Sequence, residues 1–387
     1  MSNSPSPKKI RVAVLYGGRS SEHEISLLSA ASVIRNLDRS RFEVVPIGID
    51  HNGQWYRGGA AELDSSKSKG LQLPERAGNA VVLPPAVSAG SAQLISMGGA
   101  GAVAQAQSFD VVFPVMHGTN CEDGAIQGLL ELSEVPYVGP GILASAVGMD
   151  KDFSKRLVQA SGIQVVPSVT VKKTEWLSDR EGCLRKVNAA LRTPMFVKPA
   201  SLGSSVGVHK VKSPTDLAAA LDDAFQYDLK VLVERGVNAR EIEFAVLESK
   251  QSGEPPLVSV PGEIIPQHEF YSYEAKYLDE NGAALELPAK LSPELTRKGQ
   301  EIARTVFQAL ECEGMSRVDL FLDKDSGELY FNEINTIPGF TSISMYPKMM
   351  EASGVPYSEL LTHLIELAIQ RGDRKKRLKR EWSAPKK

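Results

Sequence analysis

Residues 316–347, SRVDLFLDKDSGELYFNEINTIPGFTSISMYP, constrain this chain more tightly than any other stretch. Arg317-Val318-Asp319-Leu320-Phe321-Leu322 alternates polar and apolar, with the two-residue period of a strand buried on one side. Lys324-Asp325-Ser326-Gly327 supplies turn residues, and Leu329-Tyr330-Phe331 resumes the strand. The pattern is that of a β-hairpin. Side chains two apart share a face, so Arg317 sits with Asp319 and Glu333 with Asn335. Tight antiparallel pairing would set Asp319 roughly opposite Glu333. Two carboxylates, an amide oxygen and a guanidinium would then meet on one face.

Hard oxygen donors without Cys or His suit Mg²⁺, which takes few protein ligands and completes its shell with phosphate and water. A neighbouring Arg can stabilise charge that develops during phosphoryl or acyl transfer. A lone R-x-D or E-x-N would be read as a solvated strand face. Here Asn335-Thr336-Ile337-Pro338-Gly339 follows at once, a turn that frees backbone N–H groups and lets a ligand approach Gly339.

The chain of 387 residues has room for two or three domains. A net charge of −3 excludes a dedicated nucleic-acid binder. Cys121, Cys183 and Cys312 are odd in number and far apart, which fits a reducing cytoplasm and neither a disulfide framework nor a zinc site. The start, MSNSPSPKK, is a polar tail, with no signal peptide and no long apolar run to enter a membrane. A soluble, cytoplasmic protein is expected.

Residues 10–16 (IRVAVLY) read as a buried parallel strand, broken by Gly17-Gly18. A helix is expected to begin near Ser21, where Ser21 and Glu24 have capping-box spacing. This is the start of a βαβ unit, with ligands expected at the strand's carboxyl end, although G-x-G-x-x-G is absent. Residues 42–49 form a second strand. Residues 58–107, rich in Gly, Ala and Ser, read as surface connection. The strand at 110–116 ends in His117-Gly118, and Glu122-Asp123 follow before another helix, again a site-forming loop. The turn cluster at 136–141 marks a boundary.

Lys151 precedes an amphipathic helix ending at Gly162. Lys198 closes a strand at 195–199, and Ser201-Leu202-Gly203-Ser204-Ser205-Val206-Gly207-Val208 can turn successive N–H groups onto phosphate. It is not a P-loop, since G-x-x-x-x-G-K-[ST] is missing. A strand at 230–234 leads into Glu234-Arg235-Gly236-Val237, a candidate nucleotide hinge. Glu241 and Glu243 share a face of the next strand, either as ligands or as an exposed acidic edge.

In this order the motifs are more specific than any one of them. SSEHEISL (20–27), HGTNCEDGAIQG (117–128), KPASLGSSVGV (198–208), YEAKY (273–277) and NEINTIPGFTSISMYP (332–347) resemble the D-alanine–D-alanine ligases of the ATP-grasp superfamily. The resemblance spans about residues 10–370. It implies a three-domain α/β ATP-grasp fold: a Rossmann-like substrate domain over 1–140, a central subdomain over 141–234, and a C-terminal subdomain with metal site and lid over 235–372. A disordered basic tail would occupy 373–387.

The implied roles follow the matched motifs. Lys151, Lys198, Ser204, Glu234, Glu241 and Lys276 would contact ATP, with Arg235 and Val237 in the adenine hinge and Phe270 and Asn332 lining the pocket. Asp319, Glu333 and Asn335 would hold two magnesium ions; manganese in their place and activation by a monovalent cation stay open. Glu22 would receive the ammonium of the first D-alanine, with His117 nearby. Glu22, Ser204 and Tyr277 would fasten a lid over about 267–285. Arg317 and the Gly339 N–H would stabilise the oxyanion, while Ser344 and Met345 line the second D-alanine subsite. Glu22, Ser204, Arg317 and Ser344 would be the catalytic set.

The implied reaction makes D-alanyl-D-alanine for peptidoglycan precursors through a D-alanyl phosphate, in a homodimer. Met345 leaves D-serine open as second substrate. Tyr277 argues against D-lactate, and intact Arg317 and metal ligands argue against a non-catalytic nucleotide module. The Thr119-Asn120-Cys121 insert has no assigned role.

Overall fold

The computed structural model describes residues 8–58, 71, 73, 80–85, 92–97, 107–266 and 283–379. Among them three sheets form, and the order of the chain through them explains how distant motifs meet.

The first sheet is built around β1 (Ile10–Gly17), paired in parallel with β2 (Phe42–Ile49) on one side and β7 (Val111–Pro114) on the other. Buried on both faces, these strands are apolar without alternation, as parallel strands under helices must be. Helix α1 (His23–Asn36) returns the chain from β1 to β2. The sheet is extended antiparallel by β3 (Trp55–Arg57), β4 (Ala80–Val82), β5 (Ala92–Ser96) and β6 (Gln107–Phe109), of which β4 and β5 fall within the 58–107 segment expected as surface connection. These strands hold three to five residues each. So short a run carries too little alternation to stand out from its Gly, Ala and Ser surroundings.

The expected capping box is also corrected. Glu22 is the N-cap residue of α1, and no side chain caps the helix. The Glu22 N–H donates to Ser20 Oγ at 3.0 Å, while Ser26 Oγ accepts from the Gly17 N–H at 2.7 Å. The serines therefore hold the glycine turn in place, and the Glu22 carboxylate is left pointing elsewhere.

The second sheet is antiparallel, in the order β10 (His209–Val211), β9 (Met195–Pro199), β11 (Lys230–Arg235), β8 (Ser168–Lys172). The third pairs β12 (Ala239–Leu247) with β16 (Met315–Asp323), and β16 with β17 (Leu329–Asn335). On its other side β12 pairs with β13 (Leu257–Val258) and β14 (Gly262–Pro266), and β14 with β15 (Ala283–Glu286).

The last helix, α10 (Tyr357–Lys376, the tenth described), packs back on the first sheet. Its Leu360, Leu364 and Ile365 share one apolar core with Val12, Val14, Phe113 and Phe340. Residues 373–376, expected as tail, are helical. Arg371 is buried and donates to the Tyr137 and Gly139 carbonyls at 2.6 and 2.7 Å and to Glu313 at 3.0 Å. Basic residues in a last helical turn also suit the helix dipole. Residues 380–387 lie outside the described part.

Candidate active site

The expected hairpin face forms, but through a β-bulge: Leu320 pairs with Phe331 and Asp319 with Glu333, so Asn332 is an extra residue in the second strand. Arg317 pairs with Asn335 across the strands. Arg317 grips Asp319 with two nitrogens, at 2.7 and 2.8 Å, and its Nε lies 3.3 Å from Glu243. The Asn335 amide donates to Asp319 at 2.9 Å. Burial works against the Arg317 charge, but Asp319 and Glu243 override it and hold the guanidinium well above its usual range. Glu243 is therefore a buried partner of Arg317, not an exposed acidic edge.

A lysine wall faces this cluster. Lys151, the first residue of helix α4 (Lys151–Ala160), donates to the Leu202 carbonyl at 2.7 Å and lies 3.1 Å from Glu333. The Glu234 carboxylate is buried between Lys155 at 2.8 Å and Lys198 at 2.6 Å. Burial alone would raise its pKa, yet the two ammoniums push it down to about 2. Burial and the neighbouring Lys198 pull Lys155 the other way, below the usual lysine range, despite the attraction of Glu234. Lys155 went unnoticed in the sequence. Its only signal is the four-residue step from Lys151, which places both on one helix face.

The third corner is Glu22. Ser204 Oγ donates a hydrogen bond to it from the loop between β9 and β10. Ser204 and Ser205 both take positive φ, 52° and 60°, and both face the cavity described below. Gly118 has φ 76°, and a Cβ there would lie 2.5 Å from Ser20 Oγ and 2.8 Å from Glu22 Oε2. Gly118→Ala should therefore displace Glu22 and destabilise the fold by about 1–3 kcal/mol. Thermal melting against the parent reads this, and an unchanged Tm would mean the loop absorbs the methyl group.

The Gly118 N–H donates to Glu122 at 2.7 Å. Burial, with repulsion from Glu22, pushes the Glu122 carboxyl up to about 8. His117 is buried, its Nε2 3.0 Å from Ser29 Oγ, and burial holds its pKa below the usual value. Ser29 also accepts from the Phe340 N–H at 3.4 Å, so His117 and the turn after β17 share one anchor. The insert between His-Gly and Glu-Asp-Gly has a packing role: Cys121 is fully buried, and the Asn120 N–H donates to Asp123 at 2.8 Å.

At the turn itself, Ser344 begins helix α9 (Met345–Ala352), and its Oγ accepts from the Thr341 N–H at 3.0 Å. A Cβ on Gly339 would come within 2.7 Å of that oxygen.

One cavity of about 620 Å³ joins the three corners, and every expected site residue within the described part lines it. Phe270, Lys276 and Tyr277 lie outside the described residues, as does most of the expected lid. The volume suits a nucleotide-sized ligand. Asp319, Glu333 and Asn335 offer only oxygen ligands beside the cationic wall, a donor set that fits magnesium shared with phosphates.

Sequence comparison finds the family described as D-ala D-ala ligase N-terminus over residues 11–140 and D-ala D-ala ligase C-terminus over residues 157–366. A D-alanine–D-alanine ligase A of Bradyrhizobium diazoefficiens is 52% identical over 388 residues, covering 97% of this chain and 99% of its own. The structure of the D-alanine-D-alanine ligase from Coxiella burnetii superposes with a TM-score of 0.79 at 38% identity, covering 95% of this chain and 96% of the other. That of VanG D-Ala:D-Ser ligase from Enterococcus faecalis gives 0.80 at 37%, covering 93% and 100%.

Proposed function

Since this chain belongs to the D-alanine–D-alanine ligase family, we propose that it joins two D-alanines into D-alanyl-D-alanine for peptidoglycan precursors, converting ATP to ADP and phosphate. The observation that carries this reading is the single cavity in which an acidic cluster, a lysine wall and the Glu22–Ser204 pair converge.

The ammonium of the first D-alanine is assigned to Glu22, and Ser204 holds that carboxylate in place. The freed carboxylate attacks the γ-phosphorus of ATP, and the bond to the ADP oxygen breaks. Lys151 and Lys198, with the amides of the 201–208 loop, are assigned to the phosphate oxygens. Arg235, Val237, Glu241 and Asn332 are assigned to the nucleoside end.

Magnesium, held by Asp319, Glu333 and Asn335, would neutralise phosphate charge in this step. The amine of the second D-alanine, in the Ser344–Met345 subsite, then attacks the acyl phosphate carbonyl. Arg317 and the Gly339 N–H receive the oxyanion, and phosphate leaves as the carbonyl re-forms. An acyl phosphate is easily hydrolysed, which gives water exclusion by a lid over about 267–285 its purpose.

The reading includes a cytoplasmic homodimer, acceptance of manganese and activation by a monovalent cation. No helix among the described residues is long and apolar enough to cross a membrane.

The test is ADP release from Mg-ATP with D-alanine alone, then with D-serine or D-lactate added, with products identified by mass. D-alanyl-D-alanine as the main product is expected. A mixed product would move the second-substrate assignment to Met345 and the lid, and absence of D-alanine-dependent ADP would overturn the reading.

A further inference from the structure

Beside the Gly17–Gly18 turn, among residues that do not line the cavity described above, two imidazoles and a carboxylate come together. Ligand atoms of His23, Glu24 and His51 all lie within 4.8 Å of one another. The His23 and His51 rings stack with centroids 3.9 Å apart and planes 25° from parallel. Six histidines occur in the chain, and this is the only such cluster among the described residues.

Each member is held in a way that suits metal binding. His23 is buried, and its Nδ1 lies 2.8 Å from the Gly18 carbonyl oxygen. A carbonyl can only accept, so Nδ1–H donates to it, and Nε2 is the ring nitrogen left to take a metal ion. An imidazole fixed by a hydrogen bond from its far nitrogen to a backbone carbonyl is the usual setting of a metal ligand. The ring packs so closely on Gly17 that a Cβ there would lie 3.0 Å from His23 Cε1.

His51 is exposed but is presented by a built turn. Asp50 Oδ1 accepts from the Asn52 and Gln54 N–H groups, both at 2.8 Å, and Gly53 takes φ 86°. Glu24, also exposed, occupies the first turn of α1 beside His23.

We propose that His23, His51 and Glu24 form a three-ligand site for a borderline transition-metal ion of the Zn²⁺ class, separate from the oxygen-only magnesium site. Two imidazoles and one carboxylate with a fourth position open to water make a common zinc donor set, with bond lengths of about 2.0–2.2 Å. Stacked rings hold their lone pairs in nearly parallel planes, so tetrahedral coordination at those lengths requires the His51 ring to turn out of the stack and the Glu24 carboxylate to close in. The exposed His51 ring and Glu24 side chain can make that adjustment, while buried His23 is the fixed point. Magnesium, which prefers oxygen, does not compete for it.

The test uses the full chain, stripped by a chelator and kept in excess Mg²⁺ so that the oxygen site is covered. Zn²⁺ is titrated against a chromophoric competitor, and Co²⁺ serves as a spectroscopic probe. One Zn²⁺ per chain is expected, with four-coordinate Co²⁺ bands in the visible.

His51→Ala should weaken Zn²⁺ by at least about tenfold and abolish those bands, as expected for loss of one of three ligands. Glu24→Gln should weaken it less. Both residues are exposed and outside the cavity, so both variants should fold and keep their ligase activity in chelated buffer. Unchanged Zn²⁺ affinity and stoichiometry in His51→Ala would overturn the proposal, as would absence of binding in the parent.

Discussion

Arg317→Ala should lower kcat by about 10²–10³-fold while the affinity for ATP changes little, because its proposed role is stabilisation of an oxyanion formed only in the transition state. Arg317 lies on the hairpin face with one edge of its guanidinium engaged twice over: Nη2 and Nε donate to Asp319 at 2.7 and 2.8 Å, and Nε also lies 3.3 Å from Glu243. That double grip fixes the planar group without conformational search, and fixed donors are the ones that act strongly on developing charge. Removing it also leaves two carboxylates without their cation, so stability has to be measured alongside turnover. Arg317→Lys separates the effects: it keeps a positive charge beside Asp319 and Glu243 but cannot donate in a rigid fork. It should melt near the parent and still lose at least about tenfold in kcat. Calorimetry with ATP and steady-state kinetics read the two quantities. A folded Arg317→Ala protein within threefold of the parent kcat would end the oxyanion assignment.

The hairpin was legible because its information is local. Two-residue alternation puts Arg317 and Asp319 on one face, but the register counted from the turn would set Asp319 opposite Asn332, and it is a β-bulge next to Asp319 that brings Glu333 there instead. The glycine turn after β1 and the His-Gly pair after β7 were legible for a related reason, since ligand-facing loops lie at the carboxyl ends of parallel strands. What the sequence withheld is tertiary. A lysine in a polar helix, such as Lys155, reads as solvated until β11 brings Glu234 against it. Glu243 reads as an edge charge until β16 lies beside β12. Arg371, just ahead of the basic tail, reads as one more solvated charge until the carbonyls of residues 137 and 139, more than two hundred positions earlier, arrive beneath it. Specific roles were assigned by resemblance, because spacing alone cannot tell a phosphate lysine from a structural one.

Glu234→Ala should be the most destabilising single change at the site, by about 3–5 kcal/mol, the usual cost of leaving a buried charge without its partner. Glu234 is 2% exposed, and the Lys155 side chain beneath it is 4% exposed. Removing the carboxylate leaves Lys155 and Lys198 facing each other with no anion between them. A fall in Tm on the order of 5–10 °C follows. The pH dependence has a definite sign. The Glu234 carboxyl is held down to about 2, below its usual 4.5, so its contribution is fully present above about pH 4.5 and is lost as pH falls toward 2. The variant should lack that acid limb. Lys155 has a slope of the same sign at higher pH: burial already lowers its pKa, and without Glu234 it falls further. A base with a depressed pKa binds fewer protons folded than unfolded, so the variant should regain stability as pH rises through the shifted value. Adding Lys155→Met to Glu234→Ala removes the stranded ammonium and should recover part of the loss at neutral pH. Melting curves of the parent, both single variants and the double variant across pH supply every quantity in this cycle. Additive losses in the double variant would show that Glu234 and Lys155 do not act as a pair.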